Sequence, residues 1–594
     1  MNDAATYSWD LTDIYPSQDA WRAAKADVEQ RIATISSFRG RLGENARQLR
    51  GCLDTVFEIG KQLRRVGAYA SMRSDEDTRD APSLEMRQAA VMLATRFSQE
   101  TSFIDPEILE IGTERVNDFI GREAGLGLYR HLLEDILRRQ PHTLGGEAEA
   151  VIATAGLMAD APATAYSILA NAEIPWPTVE LNDGTQARLD QAGYSRFRGV
   201  PERDDRKRVF EAFWGTWQAY QRTCGVMLNS QVKRDLFYSQ ARRYPSALAA
   251  ALDSDHIPEA VYTTLISKAN EGLPTLHRYF RLRGRMLGVS DLRYYDIYPP
   301  LVTSDRAFPI ERAQQLVLEA LAPLGADYVA TVGHGFGSRW MDVFPHPGKR
   351  SGAYSSGSVY DEHPFVLMNY NDDYESVSTL AHEWGHAMHS QLANTAQPYP
   401  TADYSIFVAE VASTFNEALL LEHMLSTAAH DDERLYYLGS ALEGLRGTFF
   451  RQTMFAEFEL EIHRLVERGE ALSGERFSDI YGRLLRRYHG HEEGVLRIDD
   501  AYTVEWAYIP HFYSGFYVYQ YATSIAAASL LAAEVLEGRT GARARYLGLL
   551  EAGGSDYPYE LLKRAGVDLA DGAPYESLIQ RMNGIMDEIE AILA

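Results

Sequence analysis

Helical periodicity runs through most of this chain of 594 residues and limits the folds that are open to it. The longest run is 432–468, which contains no proline and three glycines among its apolar and charged residues. Apolar residues also recur at helical spacing in 259–286. The composition of 20–60, 84–98 and 575–594 is equally typical of helices. We therefore expect a mostly α-helical fold, with one or two long helices in 432–468.

Strand signals occur in two places. In 178–189, two short runs flank Asn182-Asp183-Gly184, a sequence that favours the turn of a hairpin. In 351–369, a turn rich in Gly and Ser precedes the apolar run Phe365–Met368, which predicts a small antiparallel sheet. The stretch 193–201, after the hairpin, is the candidate domain boundary.

We accordingly predict an N-terminal helical domain with the hairpin, 1–195, and a second domain, 196–594. Hydrophobic residues make up 45% of the chain and charged residues 24%, which is ordinary for a globular protein and excludes wholesale disorder. The two cysteines, Cys52 and Cys224, are far apart and lie in no CxxC, so neither a disulfide framework nor a cysteine metal cluster is expected.

The charge balance is acidic, with a formal net charge of −25. Nucleic acid and anionic membranes would repel such a chain, so neither is an expected partner. The first residues lack the basic start and apolar core of a secretory signal. No run of about 18 apolar residues predicts a membrane span. We expect a cytoplasmic protein.

One motif carries chemistry: His382-Glu383-Trp384-Gly385-His386, an HExxH. The surrounding residues 374–392 have helical period, so the two histidines lie four apart on one face. Two imidazoles so placed can both reach one Zn²⁺ at about 2.0–2.1 Å. Glu383 can approach water on the metal without binding the metal. The competing interpretation is a pair of surface histidines on an amphipathic helix.

A catalytic zinc needs a third protein ligand and one open position. His389 lies seven residues after His382, and a helix curves too little for three such side chains to converge, so we interpret it as a packing residue or a support for a ligand. Leu392 stands where the metzincin pattern requires histidine, which excludes that class. The next predicted helix, 403–422, carries Glu410 and Glu417 on one face. We favour Glu410 as the ligand and Glu417 as an acceptor for a histidine ring N–H, although an exposed helix glutamate is the commoner case.

With these residues the chain resembles the oligoendopeptidase F branch of the thimet-oligopeptidase family of zinc metallopeptidases. The resemblance extends through nearly the whole chain. The segments that carry it are WDLTDIYPS (9–17), ARRYPSAL (241–248), YDIYPPL (295–301), KRSGAYS (349–355), HEWGHAMHS (382–390), FVAEVASTFNE (407–417), FRQTMFAEFE (450–459), IPHFYSGFYVYQYAT (509–523) and GGSDYPYELLKRAGVD (553–568).

The resemblance implies a mostly helical, two-lobed fold around a deep central channel, with the small sheet near the zinc site. It also implies one Zn²⁺ per chain, held by His382, His386 and Glu410, with Glu383 as general base. Cytosolic cleavage of oligopeptides is the implied activity.

The C-terminal aromatic segment is implied to complete the site. Similar enzymes use a histidine and tyrosines there to bind the substrate carbonyl and its oxyanion, and we carry this role over to His511 and Tyr517. Tyr513 and Tyr521 stay open as alternatives that bind substrate. The other interpretation of an aromatic-rich segment is an ordinary core, which we expect for its phenylalanines.

Backbone near the sheet is expected to bind the peptide. Gly352, Ala353 and Tyr354, together with the run 363–369, would pair with an extended substrate through main-chain hydrogen bonds. A structural hairpin is the equally weighted alternative.

The sequence thus predicts a zinc endopeptidase that hydrolyses internal bonds of short unstructured oligopeptides. A zinc carboxypeptidase or dipeptidyl carboxypeptidase is the alternative among enzymes, and it would need a basic residue for the substrate carboxylate. A noncatalytic peptide-binding protein with structural zinc is the alternative from another class.

Overall fold

The computed structural model of the chain describes residues 4–594. By Cα packing they form two compact units, each assembled from three stretches of sequence. Unit 1 takes its described residues from Met1–Thr143, Arg306–His423 and Leu531–Val567. Unit 2 consists of Leu144–Asp305, Met424–Leu530 and Asp568–Ala594. The predicted boundary at 195/196 lies inside unit 2 and stays a prediction about how the sequence divides.

The mostly helical fold is confirmed. The helices are, in chain order, α1 (Gln18–Ile32), α2 (Ala46–Glu76), α3 (Ala81–Thr101), α4 (Ile104–Ile111), α5 (Thr113–Arg122), α6 (Arg130–Arg138), α7 (Gly146–Ala159), α8 (Ala161–Ile168), α9 (Gln191–Phe197), α10 (Arg203–Ala219), α11 (Gln221–Ala241), α12 (Ala247–Asp253), α13 (Glu259–Glu271), α14 (Leu273–Met286), α15 (Ile310–Ala320), α16 (Ala326–Gly337), α17 (Tyr374–Ala396), α18 (Ile406–Thr427), α19 (Asp431–Gly444), α20 (Arg451–Glu467), α21 (Gly474–Tyr488), α22 (Tyr519–Leu536), α23 (Ala542–Glu551), α24 (Pro558–Ala565) and α25 (Ala573–Leu593).

Short 3₁₀ segments connect many of these helices. They span Ala4–Tyr7, Leu11–Asp13, Ile35–Phe38, Ala124–Tyr129, Gln140–His142, Tyr294–Asp296, Ala322–Leu324, Tyr399–Thr401, Asp500–Tyr508 and Pro510–Tyr513. Two π-helical turns, Leu169–Glu173 and Leu445–Phe450, continue α8 and join α19 to α20. The run predicted at 432–468 is therefore one long helix with a π turn at its middle.

The helical stretch expected over 20–60 contains a break that the periodicity did not indicate. α1 ends at Ile32, and Gly40 then adopts a φ of +76°, a conformation that glycine reaches without steric cost. α2 begins after Asn45, whose side-chain oxygen accepts a hydrogen bond from the backbone N–H of Gln48 at 3.0 Å. This cap starts α2 and fixes the end of the break.

Both predicted sheets form, and one has an additional strand. The hairpin consists of β1 (Thr178–Glu180) and β2 (Gln186–Arg188), paired antiparallel. The second sheet has the order β3-β5-β4, in which β4 (Tyr354–Ser356) pairs antiparallel with β5 (Phe365–Leu367). β3 (Met341–Asp342) pairs with β5 in parallel, so the sheet is mixed rather than wholly antiparallel. A strand of two residues is too short to leave a periodic signal in the sequence.

The core of unit 1 covers one face of this second sheet. Phe365 and Leu367 of β5 are fully buried in the same apolar cluster as residues of α1 and α2. Trp9, from the start of the chain, packs edge-on against Phe365 with ring centroids 6.4 Å apart. Its indole N–H donates to Glu76 Oε1 at 2.9 Å. These contacts hold β5 against the N-terminal helices.

In unit 2, the core is strongly aromatic. Tyr194 and Phe213 stack with ring centroids 3.9 Å apart, and Trp214 and Trp217 are fully buried beside them. Both cysteines of the chain are buried free thiols. No helix in 4–594 combines the length and the apolar composition needed to cross a membrane.

Candidate metal centre and active site

The HExxH motif lies in the middle of α17. Asp373 caps the start of this helix, where its Oδ1 accepts a hydrogen bond from the backbone N–H of Ser376 at 2.7 Å. The apolar side of the helix is buried and comprises Val377, Leu380, Ala381, Trp384 and Met388. His382 and His386 lie on another side and stay partly exposed. Burial of the apolar side thus fixes the direction in which the two imidazoles point.

α18 crosses α17 in direct backbone contact at Gly385. A Cβ on Gly385 would lie 2.5 Å from the carbonyl oxygen of Ala412 and 2.6 Å from the Cα of Ser413, so only glycine fits. A second tie is the Asn416 side chain, whose amide donates to the carbonyl of Ala381 at 3.1 Å. This close approach brings Glu410 of α18 next to the two histidines.

Three side-chain donors converge on one point. Nε2 of His382 lies 3.4 Å from Oε2 of Glu410, and Nε2 of His386 lies 3.5 Å from the same oxygen. All three donor atoms lie within 4.8 Å of one another. Tetrahedral ligands bound at about 2.0–2.1 Å are about 3.3 Å apart, so these spacings suit a small divalent ion. Two imidazoles and one carboxylate are also a donor set that such ions accept.

Neighbouring groups fix the orientation of the donors. The Nδ1–H of His382 donates to Oε1 of Glu417 at 2.5 Å, which turns the opposite nitrogen, Nε2, towards the convergence point. The hydroxyl of Ser413 donates to Oε2 of Glu410 at 3.0 Å. Glu410 and Glu417, which the helical spacing placed on one face, thus contact different nitrogens of His382.

The electrostatics of the group favour a cation. Burial alone would lower the pKa of His382, but hydrogen bonds to Glu410 and Glu417 outweigh it and raise that pKa to about 10. Burial would raise the pKa of Glu410, yet the hydrogen bonds from both histidines hold it well below its usual range. The carboxylates thus draw a proton onto the imidazole, and a metal ion would supply the same positive charge.

Glu383 lies beside the first histidine and has a different environment. Its side chain is buried, and burial raises its pKa against the opposing effect of His382 and His386. It is not a member of the three-residue donor group. A carboxylate with a raised pKa next to such a group has the properties of a proton acceptor.

His389 is directed into the protein interior and is not part of the donor group. Its ring is fully buried and stacks on Tyr404, with ring centroids 3.5 Å apart. Neither ring nitrogen has a hydrogen-bond partner within the described part of the chain. Burial lowers the pKa of His389 to about 3, so the ring is neutral. It packs α17 against the segment that precedes α18.

The Gly-rich turn before β4 contains one residue with a left-handed backbone conformation. Gly352 has a φ of +83°, and its carbonyl accepts a hydrogen bond from the Asn369 side chain at 2.6 Å. Ala353 leads into β4, which begins at Tyr354 and is an edge strand of its sheet. The Tyr354 hydroxyl donates to Asp75 at 2.9 Å, so this side chain is anchored within unit 1.

One expectation for this region is wrong. The run 363–369 was expected to offer a free edge to a peptide, but β5, at its centre, lies between β3 and β4. The hydrogen bonds of β5 are therefore already made on both sides. Within this sheet, β4 is the strand next to the Gly352 turn that has an edge position.

The aromatic segment lies in unit 2. His511 is in the 3₁₀ turn Pro510–Tyr513, and its ring is parallel to that of Tyr517, with centroids 6.1 Å apart. The hydroxyl of Tyr521 donates to that of Tyr517 at 3.2 Å. Burial lowers the pKa of His511, which keeps the ring neutral at neutral pH. These three residues form one cluster of polar groups.

Tyr513 lies apart from that cluster. Its ring is buried and stacks on Tyr166 of α8 with centroids 4.6 Å apart. Burial holds the pKa of its hydroxyl far above the ordinary value. Its surroundings are those of a residue that packs in the core, which was the other interpretation of this aromatic-rich segment.

Sequence reasoning did not assign the residues that join the two site helices. Gly385 is one of the two unspecified positions of HExxH, and no motif required glycine there. Asn416 and Ser413 are polar residues among apolar residues of α18, which is the signal that the sequence offers, and the structure buries both fully.

The comparisons with known proteins agree with this geometry. A sequence profile of Peptidase family M3 matches residues 197–580, and one described as Oligopeptidase F matches residues 107–175. The chain is 40% identical to Oligopeptidase PepF of Bacillus subtilis over 588 residues, which is 99% of this chain and 87% of the relative.

Two solved structures are similar over nearly their whole length. A crystal structure from Chlamydophila abortus is 33% identical, with a TM-score of 0.92, and covers 100% of this chain and 99% of its own. Oligoendopeptidase-F from Enterococcus faecium is 31% identical, with a TM-score of 0.76, and covers 97% and 99%. Two crossed helices carry a His-His-Glu group and an adjoining buried glutamate, the family profile matches residues 197–580, and the relatives match nearly the whole chain. The chain therefore belongs to Peptidase family M3, in the oligoendopeptidase F group of metallopeptidases.

Proposed function

We propose that this metallopeptidase is a cytoplasmic zinc enzyme that hydrolyses internal bonds of short, unstructured oligopeptides. The observation that carries the proposal is the convergence of His382, His386 and Glu410, with Glu383 buried next to them. The family implies a divalent metal. Zinc is our choice because two imidazoles and one carboxylate, with one position left for water, are the ligand set of catalytic zinc.

When bound, zinc would lower the pKa of a water to about 7 and polarise the scissile carbonyl. The protein's own part is to hold the donors in place. Glu417 accepts the Nδ1–H of His382, so that the metal can replace the proton on Nε2, and Ser413 fixes one oxygen of Glu410. These two contacts mean that little reorganisation is needed when the metal binds.

Glu383 is the proposed general base. It takes a proton from the attacking water and later passes one to the leaving amine, so that the carboxylate is regenerated after each turnover. Burial of Glu383 supports this role because it raises the pKa of the carboxyl group. The proton affinity of the carboxylate is then closer to that of the water and the amine with which it exchanges protons. The charges of the two flanking histidines oppose this rise in pKa.

His511 and Tyr517 are the proposed donors to the carbonyl oxygen as it gains negative charge. A neutral imidazole and a phenol each have one hydrogen to donate, and the Tyr521 hydroxyl already bonds to that of Tyr517. Such donors act on the transition state more than on the ground state. Tyr521 is the alternative donor in this cluster, and we favour both over the packed Tyr513.

The backbone of β4 is the proposed pairing partner of the peptide. An edge strand offers N–H and C=O groups to an added strand regardless of the added side chains. Gly352 and Ala353 precede it, and the left-handed turn at Gly352 leaves no Cβ in the way. Binding through main-chain hydrogen bonds suits an enzyme that acts on many sequences.

The test is mass spectrometry of products from peptides of graded length, each prepared with both ends blocked and with only the N-terminus blocked. The zinc-loaded protein, the chelated protein and zinc-loaded Glu383→Gln are compared. We expect internal cleavage with the first and none with the other two. Cleavage that stops when the C-terminus is blocked would instead indicate a carboxypeptidase. Peptide binding without any cleavage by the zinc-loaded protein would indicate the noncatalytic alternative.

A further inference from the structure

One residue next to the aromatic cluster has a strained backbone. Phe516 has a φ of +56°, a conformation that glycine adopts freely but a bulky side chain rarely does. Tyr517 follows it directly, so the conformation of Phe516 sets the direction in which the Tyr517 side chain leaves the backbone. A strained residue persists only where its surroundings hold it.

A buried carboxyl group on α20 holds this backbone. The N–H of Phe516 donates to Oε1 of Glu459 at 2.6 Å. Glu459 is 1% exposed, and its Oε2 has no hydrogen-bond partner among residues 4–594. A buried polar group without a full set of partners is costly, which makes a purely incidental role for this carboxyl group unfavourable.

The same segment is held from α11. Asp235 lies against Gly515, where a Cβ would meet the Asp235 Oδ2 at 2.9 Å. That oxygen is 3.2 Å from Nε2 of His463, whose ring packs on the ring of Phe516 with centroids 4.5 Å apart. His463 is one turn after Glu459 on α20. Two acidic groups and a histidine thus enclose the turn at 515–516.

We propose that Glu459 and Asp235 are positioning residues, which hold the 515–516 turn in its left-handed conformation and thereby fix the place of the Tyr517 hydroxyl. The inference rests on the proposed role of Tyr517 as a donor to the substrate. A released turn would relax towards ordinary backbone angles and carry Tyr517 away from its position. Misplacement of about 1 Å can cost a factor of about 100 in rate, so the geometry matters.

The carboxyl group of Glu459 can hold the turn by accepting a hydrogen bond, and this role does not require a negative charge. Burial raises the pKa of Glu459 to about 8, and the nearby His463 and the Phe516 N–H oppose this only in part. An uncharged carboxyl group still accepts the backbone hydrogen bond. Glutamine, which has the same shape and retains a carbonyl oxygen, should therefore replace it well.

The experiment compares Glu459→Leu, Glu459→Gln and Asp235→Ala on a blocked peptide, with zinc content and thermal unfolding measured for each. We expect Glu459→Leu and Asp235→Ala to lower kcat by about 10–100-fold with KM within about threefold. Glu459→Gln should retain most of the kcat. Asp235 is partly exposed, so its variant decides the matter if Glu459→Leu does not fold.

Glu457→Leu is the matched control, on the same helix with the same kind of change. Its carboxylate accepts hydrogen bonds from Asn270 and Tyr488 and forms an ion pair with Arg487, and these three partners lie outside 511–521. Its kcat should stay near that of the parent. A kcat loss equal to that of Glu459→Leu would overturn the inference, since any buried defect on α20 would then have the same effect.

A double-mutant cycle with Tyr517→Phe distinguishes the positioning role of Glu459 from the donor role of Tyr517. If Glu459 acts through Tyr517, Glu459→Leu should cost little more in the Tyr517→Phe background. Independent, multiplying losses overturn the positioning role and leave the donor role of Tyr517 intact. A normal kcat for Tyr517→Phe overturns the donor role itself, and the positioning inference with it.

A readout that needs no substrate completes the test. Fluorotyrosine placed at residue 517 should give one sharp ¹⁹F resonance in the zinc-loaded parent. Glu459→Leu should shift or broaden that resonance, and Glu457→Leu should not. An unchanged resonance in Glu459→Leu or Asp235→Ala would overturn the inference.

Discussion

Glu417 and His382 are joined by a hydrogen bond of 2.5 Å between Oε1 and Nδ1, and the opposite nitrogen of the same ring lies 3.4 Å from Glu410. One imidazole is therefore held between two carboxylates on α18. Glu417 fixes the ring, and Glu410 shares its other side. The two glutamates are seven residues apart, and each contacts a different nitrogen of the His382 ring: Glu417 contacts Nδ1 and Glu410 contacts Nε2.

This relationship predicts unequal effects on metal binding. Glu410→Gln replaces a charged ligand and should weaken zinc binding strongly. Glu417→Gln keeps an acceptor for the Nδ1–H, so it should lower the affinity for zinc by about 10–100-fold, which is less than the loss expected for Glu410→Gln. Competition with a fluorescent chelator measures both. If Glu417→Gln loses more affinity than Glu410→Gln, the roles of the two glutamates are exchanged.

Glu383→Gln should separate catalysis from metal binding. The amide has nearly the shape of the carboxyl group, so the buried site should persist, but it cannot accept the proton of the attacking water. We expect turnover to fall below detection while about one zinc per chain remains by atomic emission. Loss of zinc together with activity would show that Glu383 holds the metal.

Gly385→Ala tests the helix crossing. The new methyl group would meet backbone atoms of Ala412 and Ser413, which cannot move as a flexible side chain can. We expect a loss of about 1–3 kcal/mol in the free energy of unfolding and a weaker zinc site, because Glu410 would shift with α18. Calorimetry and chelator competition measure the two effects.

Gly67→Ala in α2 is the control for that change. A Cβ there meets nothing within 4 Å, so the substitution should stabilise the helix by about 0.4–1 kcal/mol. Equal behaviour of the two variants would mean that the crossing at Gly385 is not as tight as the contacts imply.

His389→Ala should leave the metal site occupied. The ring packs on Tyr404 and is directed away from the donor group, so the variant loses packing rather than a ligand. A cost of about 1–3 kcal/mol in stability with stoichiometric zinc is the expected result. An empty site in an otherwise folded variant would contradict this.

Much of the site was predictable because it depends on helical spacing alone. The interval between His382 and His386 and that between Glu410 and Glu417 place side chains on a face, whatever the tertiary structure. The side chains that support them could not be derived in this way. Gly385 and Asn416 act across two helices whose crossing point no single-helix pattern specifies.

The same reasoning explains the errors in the fold. The apolar run Phe365–Met368 was correctly predicted to join a sheet, but the place of its strand β5 at the centre of that sheet depends on the two-residue β3, which has no periodicity to detect. Likewise, nothing in the sequence requires a phenylalanine at 516 to adopt a left-handed conformation. That conformation follows from Glu459 and Asp235, which are distant in sequence.

Substrate length is the last property that can be predicted. The family resemblance predicts a narrow channel for the peptide. A peptide that pairs with the edge strand β4 must be extended along it, which a folded domain cannot be. We therefore expect efficient cleavage of short unstructured peptides and little or none of folded proteins.

The informative substrate is a long chain without structure, such as reduced, denatured casein, because it offers many cleavable bonds but exceeds the predicted channel. Rates per bond, measured by mass spectrometry, should be far lower for this chain than for a short peptide containing one of its cleaved sequences. Equal rates per bond would refute the enclosed channel while leaving the metal chemistry of His382, His386 and Glu410 untouched.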